Sequence, residues 1–159
     1  MRAGAGLALL LIAGCATGRH PSAIAPATVS NSASADGLPL GTLPRQDLSP
    51  GECGIFLWKA GENARLLLAA TANPPVARIM LDGHIVDLPR IDGKGAGVVS
   101  GPDPSARYGD GRITLALDLV IEARRGLTDG AAVPSGVLRL DRADGESIVM
   151  PVVGLLACR

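Results

Sequence analysis

Residues 112–122 carry a large aliphatic side chain at every second position. These side chains are Ile113, Leu115, Leu117, Leu119 and Ile121, and the alternate positions include Arg112, Asp118 and Glu122. A helix would scatter the aliphatic set around its circumference, whereas a strand places all of it on one face. The stretch therefore predicts a long β-strand with one buried face, and such a strand needs partners.

Asp-Gly dipeptides separate the other short apolar runs. They begin at Asp82, Asp92, Asp110, Asp129 and Asp144. Asp-Gly favours the type I′ hairpin turn, because both central residues of that turn need positive φ. Turns at this spacing predict an all-β domain, either a small antiparallel β-sandwich or a β-barrel.

Two hairpins follow from this pattern, one about Asp82-Gly83 and one about Asp144-Gly145. In the second hairpin, the sequence places Leu138 and Leu140 inward, where they face Ile148 and Met150. Proline has no amide donor, so the strand containing Pro151 is expected at a sheet edge or interrupted there. Residues 62–72 contain helix-forming Ala and Leu and leave a helix open, but we predict a strand because the neighbouring segments are strands.

The N-terminus has the plan of a secretion signal, with Arg2 followed by an apolar stretch that is too short to span a bilayer. Ile12-Ala13-Gly14-Cys15 resembles the lipobox of bacterial lipoproteins. The resemblance implies that residues 1–14 are a signal peptide and that Cys15 receives a diacylglyceryl thioether, with a fatty acid such as palmitate on the new amine. The alternative is an ordinary cleaved leader and a secreted periplasmic protein.

Because Ala16 and not an aspartate follows Cys15, the resemblance favours the outer membrane, with the protein facing the periplasm. Residues 15–43 are rich in Ala, Ser, Thr and Pro and predict a lipid anchor followed by a disordered tether. Residues 44–159 are then the β domain. His20 falls in the tether and is expected to be solvated.

The chain has three cysteines. If lipid occupies Cys15, Cys53 and Cys158 remain at the two edges of the domain, and an oxidising compartment favours a structural disulfide between them. A reactive or metal-binding pair is the alternative, but the chain has no C-x-x-C motif, and His84 is the single histidine of the domain. The first and last strands are therefore expected to lie side by side.

The sequence predicts no catalytic or metal site. His84 directly follows a turn, and the chain lacks a G-x-S-x-G nucleophile motif. Turn geometry explains most of the carboxylates that could form a paired acid site or bind calcium, namely Asp82, Asp87, Asp92, Asp103 and Asp110. The glycine-rich residues 92–111 predict a long loop and a contact surface. The formal net charge is zero, so no nucleic acid partner is expected.

Phe56 and Trp58 share one face of a predicted strand, with Ile55 and Leu57 on the other. Core packing is the favoured interpretation of these aromatics, and a ligand or partner contact anchored on Trp58 is the alternative. Residues 48–58 (LSPGECGIFLW) and 136–158 (GVLRLDRADGESIVMPVVGLLAC) resemble segments of small secreted or envelope proteins of alphaproteobacteria. The resemblance implies an envelope location and supplies no activity.

These observations favour a non-enzymatic envelope lipoprotein that binds or scaffolds another envelope protein, held at the membrane by its lipid. The alternative is a carrier of a small apolar or lipid ligand inside a β-barrel, with a hydrolase third. No cofactor is expected apart from the covalent lipid on Cys15. The sequence does not identify the partner.

Overall fold

The computed structural model of the chain describes residues 39–92 and 103–159. Within these residues the fold is all-β, as the sequence predicts. The strands are β1 (Cys53–Lys59), β2 (Leu66–Ala72), β3 (Pro75–Leu81), β4 (His84–Pro89), β5 (Ser105–Gly109), β6 (Ile113–Glu122), β7 (Gly130–Arg142) and β8 (Ser147–Cys158).

The strands form one antiparallel sheet in the order β4-β3-β2-β1-β8-β7-β6-β5. The two outermost strands approach each other through a single bridge between Arg90 and Tyr108. At this bridge the amide of Ile91 donates to the carbonyl of Arg107 at 2.9 Å. The sheet is therefore a nearly closed barrel, and the barrel is the correct one of the two predicted architectures.

The barrel has two ends, which we name by what they contain. The disulfide end carries the first residue of β1 and the last residue of β8, which pair with each other. The hairpin end carries the turns β3–β4, β5–β6 and β7–β8. The turn at Asp82-Gly83 follows the prediction, because both residues have positive φ (49° and 79°). At Asp144-Gly145 only Gly145 has positive φ (94°), so this hairpin forms without the predicted type I′ turn.

Alternate side chains of every strand point into the barrel and fill it. On β6, Leu115, Leu117 and Leu119 are buried, and Ile113 and Ile121 pack against the same core. Leu138 pairs with Met150 and Leu140 with Ile148, as the hairpin prediction requires. The inward set of β6 and the register of the β7–β8 hairpin are thus confirmed.

Residues 62–72 contain strand β2 and no helix, as predicted. The prediction of an edge or an interruption at Pro151 is wrong, because β8 runs unbroken between β1 and β7. Pairing between β1 and β8 ends at Lys59 and Val152, and the amide of Ala60 donates to the Pro151 carbonyl at 3.2 Å. Pro151 is paired with Val137 of β7 but lies one residue beyond the last pair of the β1–β8 ladder, where a missing donor disturbs that ladder least.

The folded part begins earlier than the predicted boundary at residue 44. Leu40 is fully buried and forms a bridge with Leu81, and Leu43, 3% exposed, donates its amide to the Leu66 carbonyl at 2.8 Å. Residues 39–52, which we call the N-terminal segment, therefore enter the fold at the hairpin end. The sequence hides this because Leu40 and Leu43 are isolated apolar residues among glycine, threonine and proline.

Candidate contact surface on the barrel exterior

Phe56 and Trp58 lie on the outside of the barrel. Ile55 and Leu57 occupy the inward positions of β1 and are buried, so the intervening aromatics must point outward, where both are half-buried. Their favoured interpretation as core residues is therefore wrong. The two rings also have different neighbours. We call the part of the barrel exterior under the N-terminal segment the covered side and the part without it the uncovered side.

On the covered side, the N-terminal segment lies across the outer faces of β1, β2 and β3. Leu48 approaches β1 so closely that a side-chain carbon at Gly54 would lie 2.9 Å from its Cδ2 atom, so a larger residue at position 54 would displace the Leu48 side chain. Leu48 and Gln46 line a depression of about 290 Å³ together with Phe56 and Val76. The N-terminal segment thus forms one wall of the recess in which the half-buried Phe56 lies.

Polar contacts fix this covered side. Arg78 binds Asp87 through two hydrogen bonds of 2.7 Å between neighbouring strands, and Gln46 accepts a third bond from Arg78 at 3.3 Å. The hydrogen bond with Arg78 lowers the pKa of Asp87. At the disulfide end, Arg159 donates to the Leu48 carbonyl at 3.0 Å, which fastens the N-terminal segment to the end of β8.

The uncovered side comprises the outward positions of β6, β7 and β8 next to Trp58. Val149 is 61% exposed, Val120 50%, Val137 43% and Leu155 42%. Val137 is opposite Pro151, and Trp58 is opposite Val153. Val149 is opposite Arg139 and Val120 is opposite Ser135, so these two valines approach Val137 only along the diagonals of the sheet. We call this surface the apolar strip; it consists of Trp58, Val120, Val137, Val149, Pro151, Val153 and Leu155.

A groove of about 440 Å³ lies in the strip beside Trp58. Its walls include Pro134, Val153 and Leu155, and Arg124 stands at its rim. The groove forms where the pairing of β7 with β8 shifts between Val133 and Gly136, a bulge that pushes Pro134 out of the ladder. The strip therefore combines an exposed aliphatic surface with a recess beside an aromatic ring.

Cys53 and Cys158 form the predicted disulfide. The bond joins the first residue of β1 to the last residue of β8, which pair directly across the sheet. It links residues 105 positions apart. The first and last strands therefore lie side by side, as expected.

The predicted candidates for chemistry are occupied by structural contacts. Arg90, 9% exposed at its side chain, binds Asp92 at 2.7 and 2.9 Å and Asp103 at 2.7 Å. Asp110 accepts the amides of Arg112 and Ile113 in its own turn, and these bonds lower the pKa of Asp110. Across residues 39–92 and 103–159, no cluster of three or more His, Cys, Asp or Glu side chains is arranged to bind a metal.

His84 begins β4 and is exposed, at the hairpin end. Asp82 beside it pairs with Arg142 at 2.5 Å. The prediction of one long loop over residues 92–111 is wrong in part, because residues 105–109 form β5 with Ala106 and Tyr108 buried. Residues 93–102 lie outside the described part of the chain.

Sequence reasoning missed the apolar strip. The signal was present in residues 148–157, where aliphatic side chains occupy both the inward and the outward positions of β8. A strand that is apolar on both faces also fits a position buried on both faces, so this pattern alone does not predict an exposed surface. Only the three-dimensional structure shows that the N-terminal segment covers β1–β3 and leaves β6–β8 bare.

The predicted signal peptide, the lipid site at Cys15 and most of the predicted tether lie outside the described residues. In the described part of the chain, no helix is long and apolar enough to cross a membrane. Comparisons of the chain with protein-family models, curated proteins and solved structures found no match.

Proposed function

We propose that this protein is a lipid-anchored lipoprotein of the bacterial envelope that faces the periplasm and binds another envelope protein through the apolar strip. The observation that carries the proposal is the exposure of Val149, Val120, Val137 and Leu155 on three adjacent strands. In this proposal the barrel is a binding module and performs no catalysis.

The chemistry of the strip fits a protein partner. The outward positions of β8 from Val149 to Leu155 carry no charge, and interface cores are depleted in charged residues. Monomeric soluble proteins rarely expose large contiguous apolar patches. A tryptophan beside a recess is a typical binding hot spot, which makes Trp58 the expected anchor. The favoured partner therefore presents an apolar surface that excludes water from these strands.

A carrier of an apolar ligand is less well supported. Such a carrier needs an apolar cavity inside the barrel. The inward positions instead hold large side chains that are fully buried against one another, among them Leu57, Ile79, Tyr108 and Leu138. The grooves near Phe56 and Trp58 open on the exterior. The packed interior therefore favours a module that binds through its surface.

The proposed anchor is the lipid on Cys15, which the lipobox resemblance implies. Residues 16–38 would then separate the lipid from the fold, and a flexible coil of that length spans roughly 25 Å. This reach would let the strip contact a partner beyond the membrane surface. Lipid chains would also keep the domain in place, because two or three chains anchor stably where one does not.

Photo-crosslinking in cells tests the binding surface. A photoreactive residue at Val149 should give one adduct with an envelope protein, and one at Ile91 should not. Ile91 is the matched control because it is 52% exposed but lies at the seam across the barrel. The captured protein, once purified, should bind the wild type and lose affinity for the Val149→Asp variant. Equal adducts at both positions, or unchanged binding by the variant, would contradict the proposal.

Membrane fractionation tests the anchor separately. Cys15→Ser should release the protein in soluble form or block removal of the leader, because the thiol that would carry the lipid is lost. Cys53→Ser is the control, since it removes a thiol that the disulfide uses. Fractionation of Cys15→Ser that matches the wild type would count against lipidation and would leave the crosslinking result unaffected.

A further inference from the structure

We infer that the free edge of β4 is a second contact surface, which accepts an extended peptide by strand addition. This inference goes beyond the apolar strip, because it concerns the opposite side of the barrel and a different kind of contact. In the sheet order, β4 lies four strands from β8. A partner on the strip and a peptide on β4 would therefore not compete.

The register of the seam leaves this edge open. Arg90 is opposite Tyr108, so Gly109, the last residue of β5, falls opposite Pro89. Because the strands run antiparallel, residues 84–88 of β4 extend past the end of β5 toward the hairpin end. Within residues 39–92 and 103–159, no strand pairs with residues 84–88 on the side away from β3.

The backbone groups on that side can be identified from two hydrogen bonds. The amide of Arg90 donates to Pro75 on the β3 side at 3.0 Å, and the amide of Ile91 donates to Arg107 on the seam side at 2.9 Å. Strand amides alternate in direction, so those of Ile85 and Asp87 also face the seam. Position 89 in the same series is a proline, which strands accept at an edge. Two amides and their carbonyls are thus available to an added strand.

A cleft of about 480 Å³ lies beside this edge. Its walls include Val86 of β4 and Ile113 at the start of β6, which pack against the barrel core, and also the charged side chains of Asp82, Arg112, Arg142 and Asp144. Alternate side chains of an added strand would point into this cleft. The peptide residue that reaches Val86 and Ile113 is expected to be aliphatic, whereas the rest of the cleft presents charged side chains to the peptide.

The edge is held ready for pairing. Asp87 is fixed by its two hydrogen bonds to Arg78, and the ion pair between Arg142 and Asp82 holds the β3–β4 turn against the end of β7. A strand edge with unpaired donors recruits extended chains, and peptide recognition by strand addition uses such an edge. The partner chemistry is therefore an extended segment with alternating aliphatic residues, whose main chain supplies the hydrogen bonds.

Hydrogen exchange and peptide titration on the full chain test this inference. In the free protein, the amides of Ile85 and Asp87 should exchange quickly and those of Val86 and Leu88 slowly, since the latter face β3. The probe is a labelled peptide, Thr-Leu-Thr-Val-Glu-Val-Thr-Lys, at concentrations up to ~1 mM, the weak end of specific binding. Binding should slow exchange at Ile85 and Asp87. Slow exchange at both amides in the free protein, or no saturable binding, overturns the inference.

Three controls distinguish main-chain pairing with β4 from nonspecific binding of the peptide elsewhere on the protein. Ile85→Pro removes a seam-facing amide without touching the β3 ladder and should weaken binding roughly five- to tenfold, the effect of about one hydrogen bond. The same peptide, N-methylated at alternate amides, should not bind the wild-type protein, because it has lost main-chain donors. This control does not depend on whether the proline variant folds. Val149→Asp should bind the peptide normally. Equal binding of the methylated peptide overturns the inference, and loss of binding in Val149→Asp would assign the peptide to the strip.

Discussion

The two halves of the barrel exterior are built from the same kind of sheet and differ in what lies on them. Over β1–β3, Leu48 and Gln46 of the N-terminal segment cover the outward side chains, and Arg78 and Asp87 link two strands by a paired hydrogen bond. Over β6–β8, Val149 and Leu155 are bare. The N-terminal segment thus covers one face of the sheet, whereas apolar side chains on the other face stay exposed.

The two half-buried aromatics of β1 have different neighbours. Phe56 and Trp58 lie two residues apart on β1 and point the same way. Phe56 sits under the N-terminal segment, whereas Trp58 borders the groove of the strip. The boundary between the two sides thus runs along β1 itself, and three predictions test it.

Removing the disulfide should have the largest effect. The double variant Cys53→Ala and Cys158→Ala should lower the free energy of unfolding by up to about 4.7 kcal/mol, because the bond closes a loop of about a hundred residues. The covered side should loosen first, since Arg159 fastens Leu48 from the end of β8. Denaturant titration and hydrogen exchange measure both effects. A loss below about 1 kcal/mol would contradict this account.

A matched pair of substitutions compares the two sides directly. Leu48→Ala on the covered side should cost about 1 kcal/mol, since it removes apolar contacts over β1. Val149→Thr on the uncovered side keeps the β-branched shape and should change stability by less than about 0.5 kcal/mol. Denaturation followed by Trp58 fluorescence reports both. Equal losses would mean that the strip is covered in the isolated protein.

The ion pair on the covered side should give a small, pH-dependent effect. The pKa of Asp87 is lowered in the folded state, so its contribution is present above the unfolded value near ~3.9 and is lost as pH falls through the folded pKa. Asp87→Asn should therefore cost less than about 1 kcal/mol at neutral pH, because both partners are nearly half exposed. Stability curves of the two proteins should converge in acid. If the free energies of unfolding of the two proteins differ by the same amount down to about pH 2, the Asp87 carboxylate is not the source of the difference.

The features that could be predicted from the sequence are those with a local signal. The alternation in β6 and the Asp-Gly turns depend on neighbouring residues, so the long strand and its hairpins were predicted correctly. Strand β5 was missed although Ala106 and Tyr108 alternate with Ser105 and Arg107, because only five residues carry the pattern and they lie within a glycine-rich stretch. The packing of Leu40 and the coverage of Phe56 depend on contacts between distant segments. The exposure of the apolar strip depends on such contacts as well, so it could not be predicted from the sequence.

The position of the disulfide also determines how the fold would respond to force. A pull on the chain ahead of Pro39 acts at the hairpin end, where it would first peel away Leu40 and Leu43 and then the rest of the N-terminal segment. The 14 residues from 39 to 52 can extend by up to about 50 Å. At Cys53 the load passes through the covalent bond into β8. The barrel strands would stay paired while the N-terminal segment extends up to this limit.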